Sequence, residues 1–141
     1  MLMTEKLLGR TSTAVRVLLV SPQAETIALL SDTLRQFGIE VETCSEQEMA
    51  AHRLGNFKYE GLVVDLLLGS GALEILRSLS EQEHNSGLIA CAVLRNDNQK
   101  ISAFQAGANF VFEPSLDRHV AWRTISAAYP LMSCDSRAKL S

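Results

Sequence analysis

The chain has 141 residues, enough for one domain and short for two. A hydrophobic fraction of 47% with 21% charged residues argues for a packed core and against disorder. The balance of 13 basic and 16 acidic residues, net −3, argues against a nucleic-acid reader with its basic patch. No apolar run approaches the roughly 20 residues a membrane span needs, so no membrane contact is expected. The opening 14 residues carry Lys6 and Arg10 without a long apolar stretch, and read as a flexible lead-in, not a signal peptide. Three cysteines, Cys44, Cys91 and Cys134, fit no metal spacing. Reduced thiols and a cytoplasmic location follow. His52, His84 and His119 likewise lack ligand spacing, so no metal site is expected.

The first ordered element is the β-branched-rich run Val15 to Val20, closed by Ser21 and Pro22, with Ser21 read as a helix cap and Pro22 as a first helical residue. Ile27, Leu30, Leu34 and Phe37 then recur at helical spacing up to Gly38. Ile39 to Thr43 alternates like a half-exposed strand, and Ser45 with Glu48 has the form of a capping box. The helix it opens carries Met49, Ala50 and Leu54 to a stop at Gly55. Leu62 to Leu68 is an apolar run broken once, by Asp65, and Leu73, Leu76 and Leu79 follow on one helix face. The polar stretch Glu83 to Gly87 reads as a loop before a fourth strand, Leu88 to Leu94. Ile101, Phe104 and Gln105 mark a short helix up to Gly107. Asn109 to Glu113 is a fifth strand stopped by Pro114, and Ser115 and Asp117 open a last helix through Val120, Trp122, Ile125 and Tyr129.

Five strand runs alternating with five helical patterns, without a hairpin signal, predict an α/β fold: a three-layer, doubly wound parallel five-stranded sheet over 15–129. The first, third and fourth runs are apolar throughout, as central strands are, and the second and fifth alternate, as edges do. An order of 2-1-3-4-5 satisfies this and sets a switch point between the first and third strands. Residues from 130 to 141 read as a tail or a linker to an output module.

Ligands of such sheets bind beyond the carboxyl ends of the strands. The residues presented there are Ser21 and Pro22, Asp65, Arg95 and Glu113. An ionised Asp65 among apolar neighbours is costly unless it is paired, hydrogen-bonded or near water. It is either a nucleophile or metal ligand in the crevice, or a structural carboxylate accepting N–H groups from the following loop.

Over roughly 15–129 the chain resembles the receiver domain of two-component response regulators, a flavodoxin-like fold. The resemblance rests on the βα order, on Val63-Val64-Asp65-Leu66, and on Ala106-Gly107-Ala108 followed by Phe110 and Glu113-Pro114. It implies that Asp65 stands at the phospho-acceptor position. In that family a histidine kinase donates the phosphoryl group, an acidic pair after the first strand holds Mg²⁺, and a Ser or Thr and a Lys hold the phosphoryl oxygens. Here Ser21 and Pro22 replace the acidic pair, no Ser or Thr lies between Leu88 and Lys100, and Glu113 stands in the Lys position. The stretch from Ala108 to Pro114 is also one residue short of the family's.

Each lost oxygen contact of this kind removes about 3 kcal/mol of transition-state stabilisation, and a phosphoryl group would face Glu113 in place of a cation. The reading is therefore a degenerate, non-enzymatic pseudo-receiver in phosphorelay signalling that acts through protein contacts. A working receiver phosphorylated on Asp65 is the alternative, and the only one that needs Mg²⁺. A flavodoxin-like cofactor binder is a second, although Ser21 to Thr26 holds no glycine and an acid where a phosphate would sit. Two rescues of the site are open: Arg95 supplies a cation to Asp65 or Glu113, fixing one conformation, or Asp65 and Glu113 share a proton or divalent ion. Partners would be a signalling protein, an output domain or a second copy. Phe110, Trp122 and Tyr129 are candidates for that surface, on the face of the fourth helix, fifth strand and fifth helix.

Overall fold

Five aliphatic runs pair as one parallel sheet in the computed structural model, which describes residues 15–133. The strands are β1 (Arg16–Val20), β2 (Glu40–Cys44), β3 (Gly61–Asp65), β4 (Ile89–Val93) and β5 (Phe110–Phe112). The helices between them are α1 (Ala24–Gln36), α2 (Gln47–Asn56), α3 (Ser70–Ser78), α4 (Gln99–Ala106) and α5 (Arg118–Met132). The order is β2-β1-β3-β4-β5, as the burial pattern of the runs requires. Every residue of β3 and β4 is buried, whereas β2 at the edge keeps Glu40 and Thr43 in water.

Two cores cover the sheet. Ala50, Leu54, Ala72, Ile75, Leu76, Ala103 and Ala106 bring α2, α3 and α4 onto one face. Leu30, Leu34, Ala121, Ile125, Ala128 and Met132 bring α1 and α5 onto the other. Gly38 ends α1 with φ +79° and Gly107 ends α4 with φ +124°, conformations that cost a Cβ-bearing residue strain. Burial pushes the Cys44 thiol up to about 11 and the Cys91 thiol up to about 12, so neither is a reactive thiolate. No described helix is long and apolar enough to cross a membrane.

Local chemistry departs from the sequence expectations at several points. Glu46, not Ser45, caps α2, and no side chain bonds the cap, so the capping box does not form. Gln47 instead reaches Glu74 of α3 at 2.8 Å. The third strand ends at Asp65, and Leu66–Leu68 turn as a short 3-10 segment with Leu67 exposed. Ile101 and Phe104 keep the helix of the expectation but face water, because α4 turns its small residues Ala103 and Ala106 to the core instead. Helix α5 runs through Pro130 to a buried Met132, so three residues assigned to the tail belong to the fold. Segments 1–14 and 134–141, Cys134 among them, lie outside the described residues.

Polar groups also carry structure. Glu42 of β2 accepts from the buried Tyr59 hydroxyl at 2.6 Å and pairs with Arg16 and Arg53. Burial pushes the Glu42 carboxyl up, but Tyr59, Arg16 and Arg53 together hold it below the usual carboxylate range. Its contribution is therefore present above the unfolded carboxyl's pKa and lost as the pH falls through the lowered folded value. Burial and the same hydrogen bond push Tyr59 up to about 12. Tyr59→Phe is expected to cost about 2 kcal/mol at neutral pH and less in acid, read as a change in urea midpoint.

Candidate functional site

The carboxyl ends of β1, β3 and β4 open on one crevice, and Asp65 stands at its floor as the last residue of β3. It is fully buried. A buried carboxylate survives only with its lone pairs filled, and here they are. The Ser21 hydroxyl donates to Oδ2 at 2.7 Å and the Leu67 N–H to Oδ1 at 2.9 Å. The Arg95 guanidinium adds a fork, Nε to Oδ1 at 2.8 Å and Nη2 to Oδ2. A bidentate guanidinium–carboxylate pair is among the strongest polar contacts a protein forms.

Ser21 therefore does not cap α1. Its hydroxyl is turned to Asp65, it accepts from the Gln23 N–H at 3.1 Å, and the helix begins only at Ala24. Pro22 is exposed and outside the helix. Both readings of Asp65 left open by the sequence bear on the outcome: it accepts a backbone N–H from the following loop, and it also faces the crevice.

Arg95 is the residue that organises this crevice. It leaves the end of β4, crosses to Asp65, and its Nη2 also reaches Gln23 Oε1 at 2.9 Å and Thr26 Oγ1 at 3.0 Å. Gln99 of α4 accepts from the Arg95 N–H at 2.6 Å and so fixes the root of the side chain. Hydrogen bonding to Asp65 pushes the guanidinium further up from its ordinary value, against burial and with the help of the carboxylate charge. Of the two rescues, the structure forms the Arg95–Asp65 pair.

Glu113 is not part of it. Its side chain is 43% exposed and pairs with Lys100 at 3.8 Å, and no hydrogen bond of Asp65 or Arg95 reaches it. The charge reversal at this position is met by a lysine from α4. Trp122 and Tyr129 also move from their expected face. Both pack on Phe37 at the end of α1, with ring centroids 4.5 and 5.5 Å away, on the α1–α5 side. Phe110 is half-buried against the core of that same side. The exposed apolar residues of α4 are Ile101, at 70%, and Phe104, at 44%.

Mg²⁺ takes octahedral oxygen coordination, usually through one or two carboxylates and several waters. Ser21 and Pro22 offer no carboxylate, Asp65 has both oxygens engaged, and a guanidinium already lies against it. Among the described residues no three His, Cys, Asp or Glu gather as a metal site. The residues present do not fit a divalent ion.

No family model and no curated protein matches the sequence. Solved structures do match. The chemotaxis response regulator CheY4 of Vibrio cholerae superposes with a TM-score of 0.74 at 16% identity, over 82% of this chain and 98% of that one. A signal receiver domain from Bermanella marisrubri gives 0.70 at 21% identity, over 82% and 98%. The receiver domain of a sensor histidine kinase from Pseudomonas aeruginosa, with a magnesium ion coordinated in its active-site cleft, gives 0.65 at 20% identity, over 80% and 98%. Strand order, crevice and superposition agree: the chain has the fold of response-regulator receiver domains.

Proposed function

We propose that this is a receiver-like domain of two-component phosphorelay signalling, working in the cytoplasm by protein contact, without phosphorylation of Asp65. One observation carries the reading: the carboxylate at the phospho-acceptor position is buried and already saturated by Ser21, the Leu67 N–H and the Arg95 fork. An acceptor aspartate must present a free oxygen to phosphorus in line with the leaving group, with positive charge arranged for the transferring oxygens. At Asp65 both oxygens are tied, and the positive charge neutralises the nucleophile itself. The loss of Mg²⁺ carboxylates at Ser21 and Pro22 and of a cation at Glu113 acts in the same direction.

The contact surface in this reading is the α4 face, where Ile101 and Phe104 stand in water beside the Lys100–Glu113 pair. Single exposed apolar residues are ordinary. Two on one short helix, at the face that the receiver resemblance assigns to partners, favour a signalling protein, an output domain or a second copy there. The domain itself is a contact module, not an enzyme. A cofactor-binding role has less support, since the cavity of about 320 Å³ beside the crevice, bordered by Leu66, Leu73, Asn96 and Gln99, has no charged residue in its lining.

The test is the intact mass of the protein after incubation with acetyl phosphate and Mg²⁺, beside Asp65→Asn. The expected result is no phosphoryl adduct on either protein. An adduct on the wild type that is missing from the variant would establish a working receiver instead.

A further inference from the structure

The Arg95 side chain is short of nothing on its inner edge: it touches the end of β3 through Asp65, the start of α1 through Gln23 and Thr26, and its own N–H is held by Gln99 at the start of α4. One residue thus ties three crevice loops that are far apart in sequence. It also answers an electrostatic need. Asp65 is wholly buried, whereas the Arg95 side chain is 24% exposed, so the carboxylate depends on the guanidinium more than the reverse.

We infer that Arg95 is a tethered cation: it supplies from within the chain the positive charge that a divalent ion would otherwise have to bring to Asp65, and thereby holds the crevice and the start of α4 in one metal-independent arrangement. The inference deepens the phosphorylation-free reading and rests on it for the role of Asp65. Arg95 is a positioning residue here. Its planar fork matches the carboxylate, a geometry that a lysine point charge would not reproduce. A free ion is lost when its concentration falls, and this one is not.

The charge role can be separated from packing by melting the full-length chain, Arg95→Met, Asp65→Asn and the double variant across a range of pH. Methionine keeps much of the aliphatic stem and removes the charge. In Arg95→Met the buried Asp65 carboxylate loses its cation, and a lone buried charge is costly where the neutral acid is not. The Arg95→Met deficit is therefore expected to be small in acid and to grow towards neutral pH. It should exceed the Asp65→Asn deficit there by several degrees of Tm. The other groups bonded to the pair, Ser21, Gln23, Thr26 and the Leu67 N–H, do not titrate in this range.

In the double variant the pH dependence should vanish and part of the lost Tm should return. Addition of Mg²⁺ should leave the wild-type Tm unchanged. A deficit that is flat with pH and equally large in the Asp65→Asn background would show that Arg95 only packs, and would overturn the inference. So would an Mg²⁺-dependent rise in the wild-type Tm that Asp65→Asn abolishes. If Arg95→Met does not fold at neutral pH, the double variant must, and its failure to do so counts against the charge role. No phosphodonor is present, so this result and the acetyl phosphate result are read independently.

Discussion

Replacing Asn85 by alanine is expected to cost about 3 kcal/mol, or roughly 10 °C in Tm, although the residue lies in a polar loop far from the crevice. Asn85 is 1% exposed. Its Oδ1 accepts from the Tyr59 N–H at 2.8 Å, and its Nδ2 donates to the carbonyls of Leu54 at 2.7 Å and Phe57 at 2.8 Å. One carboxamide thereby satisfies a carbonyl in the last turn of α2, the carbonyl of the residue just past it and the N–H that leads into β3. Helix ends leave such carbonyls without intrahelical partners, and a buried orphan costs about 1–3 kcal/mol. Alanine strands all three groups, while water entering the space would recover part of the loss. Aspartate is not a substitute, since it keeps the acceptor and has no donor for Leu54 and Phe57. Urea denaturation of Asn85→Ala and Asn85→Asp checks this. A midpoint within experimental error of the wild type in either variant would refute it.

The second large effect is expected where α5 crosses the sheet. Met132 is 2% exposed, and a Cβ placed on Gly61 would meet its Cε at 2.7 Å and its Sδ at 2.9 Å, with Val17 Cγ2 at 3.1 Å. The thioether fills the space that the missing glycine side chain leaves. Met132→Ala opens a cavity there and is expected to cost about 2–4 kcal/mol. Gly61→Ala overpacks the same spot and should cost about 1–3 kcal/mol. The pair should be non-additive, because the alanine at 61 fills part of the cavity left at 132. Thermal melts of the two single variants and the double decide it. Strict additivity would mean that the two side chains do not share this space.

The alternation of apolar runs and helical patterns was sufficient to read the parallel sheet and its order, because burial on both faces of a central strand writes itself into composition. Asp65 was legible as a carboxylate in need of a partner, because a charge inside an aliphatic run is costly alone, while the sequence left Arg95 open between Asp65, Glu113 and solvent. Glu113 misled because position along a strand says where a side chain starts and not where it ends, and Lys100 was the nearer cation. Asn85 carried no signal, since a buried carboxamide and a solvated one look alike in a polar stretch. Ser45 and Glu48 had the spacing of a capping box, yet the helix began one residue later at Gln47, which spends its side chain on Glu74. Periodicity placed Ile101 and Phe104 on a helix without saying which side met the core. In the structure the buried side is the one that carries the small residues Ala103 and Ala106.

The two ends of the sheet bear on how copies of this fold can meet. One margin is β2, whose five residues include Glu40 and Glu42, with Arg16 and Arg53 folded over them. The other is β5, only three residues long. A foreign strand laid against the first would have to accommodate a cluster of fixed charges, and against the second it would find few hydrogen-bonding groups to claim. Growth of the sheet from molecule to molecule is thus discouraged at both margins, by fixed charge at one and by shortness at the other.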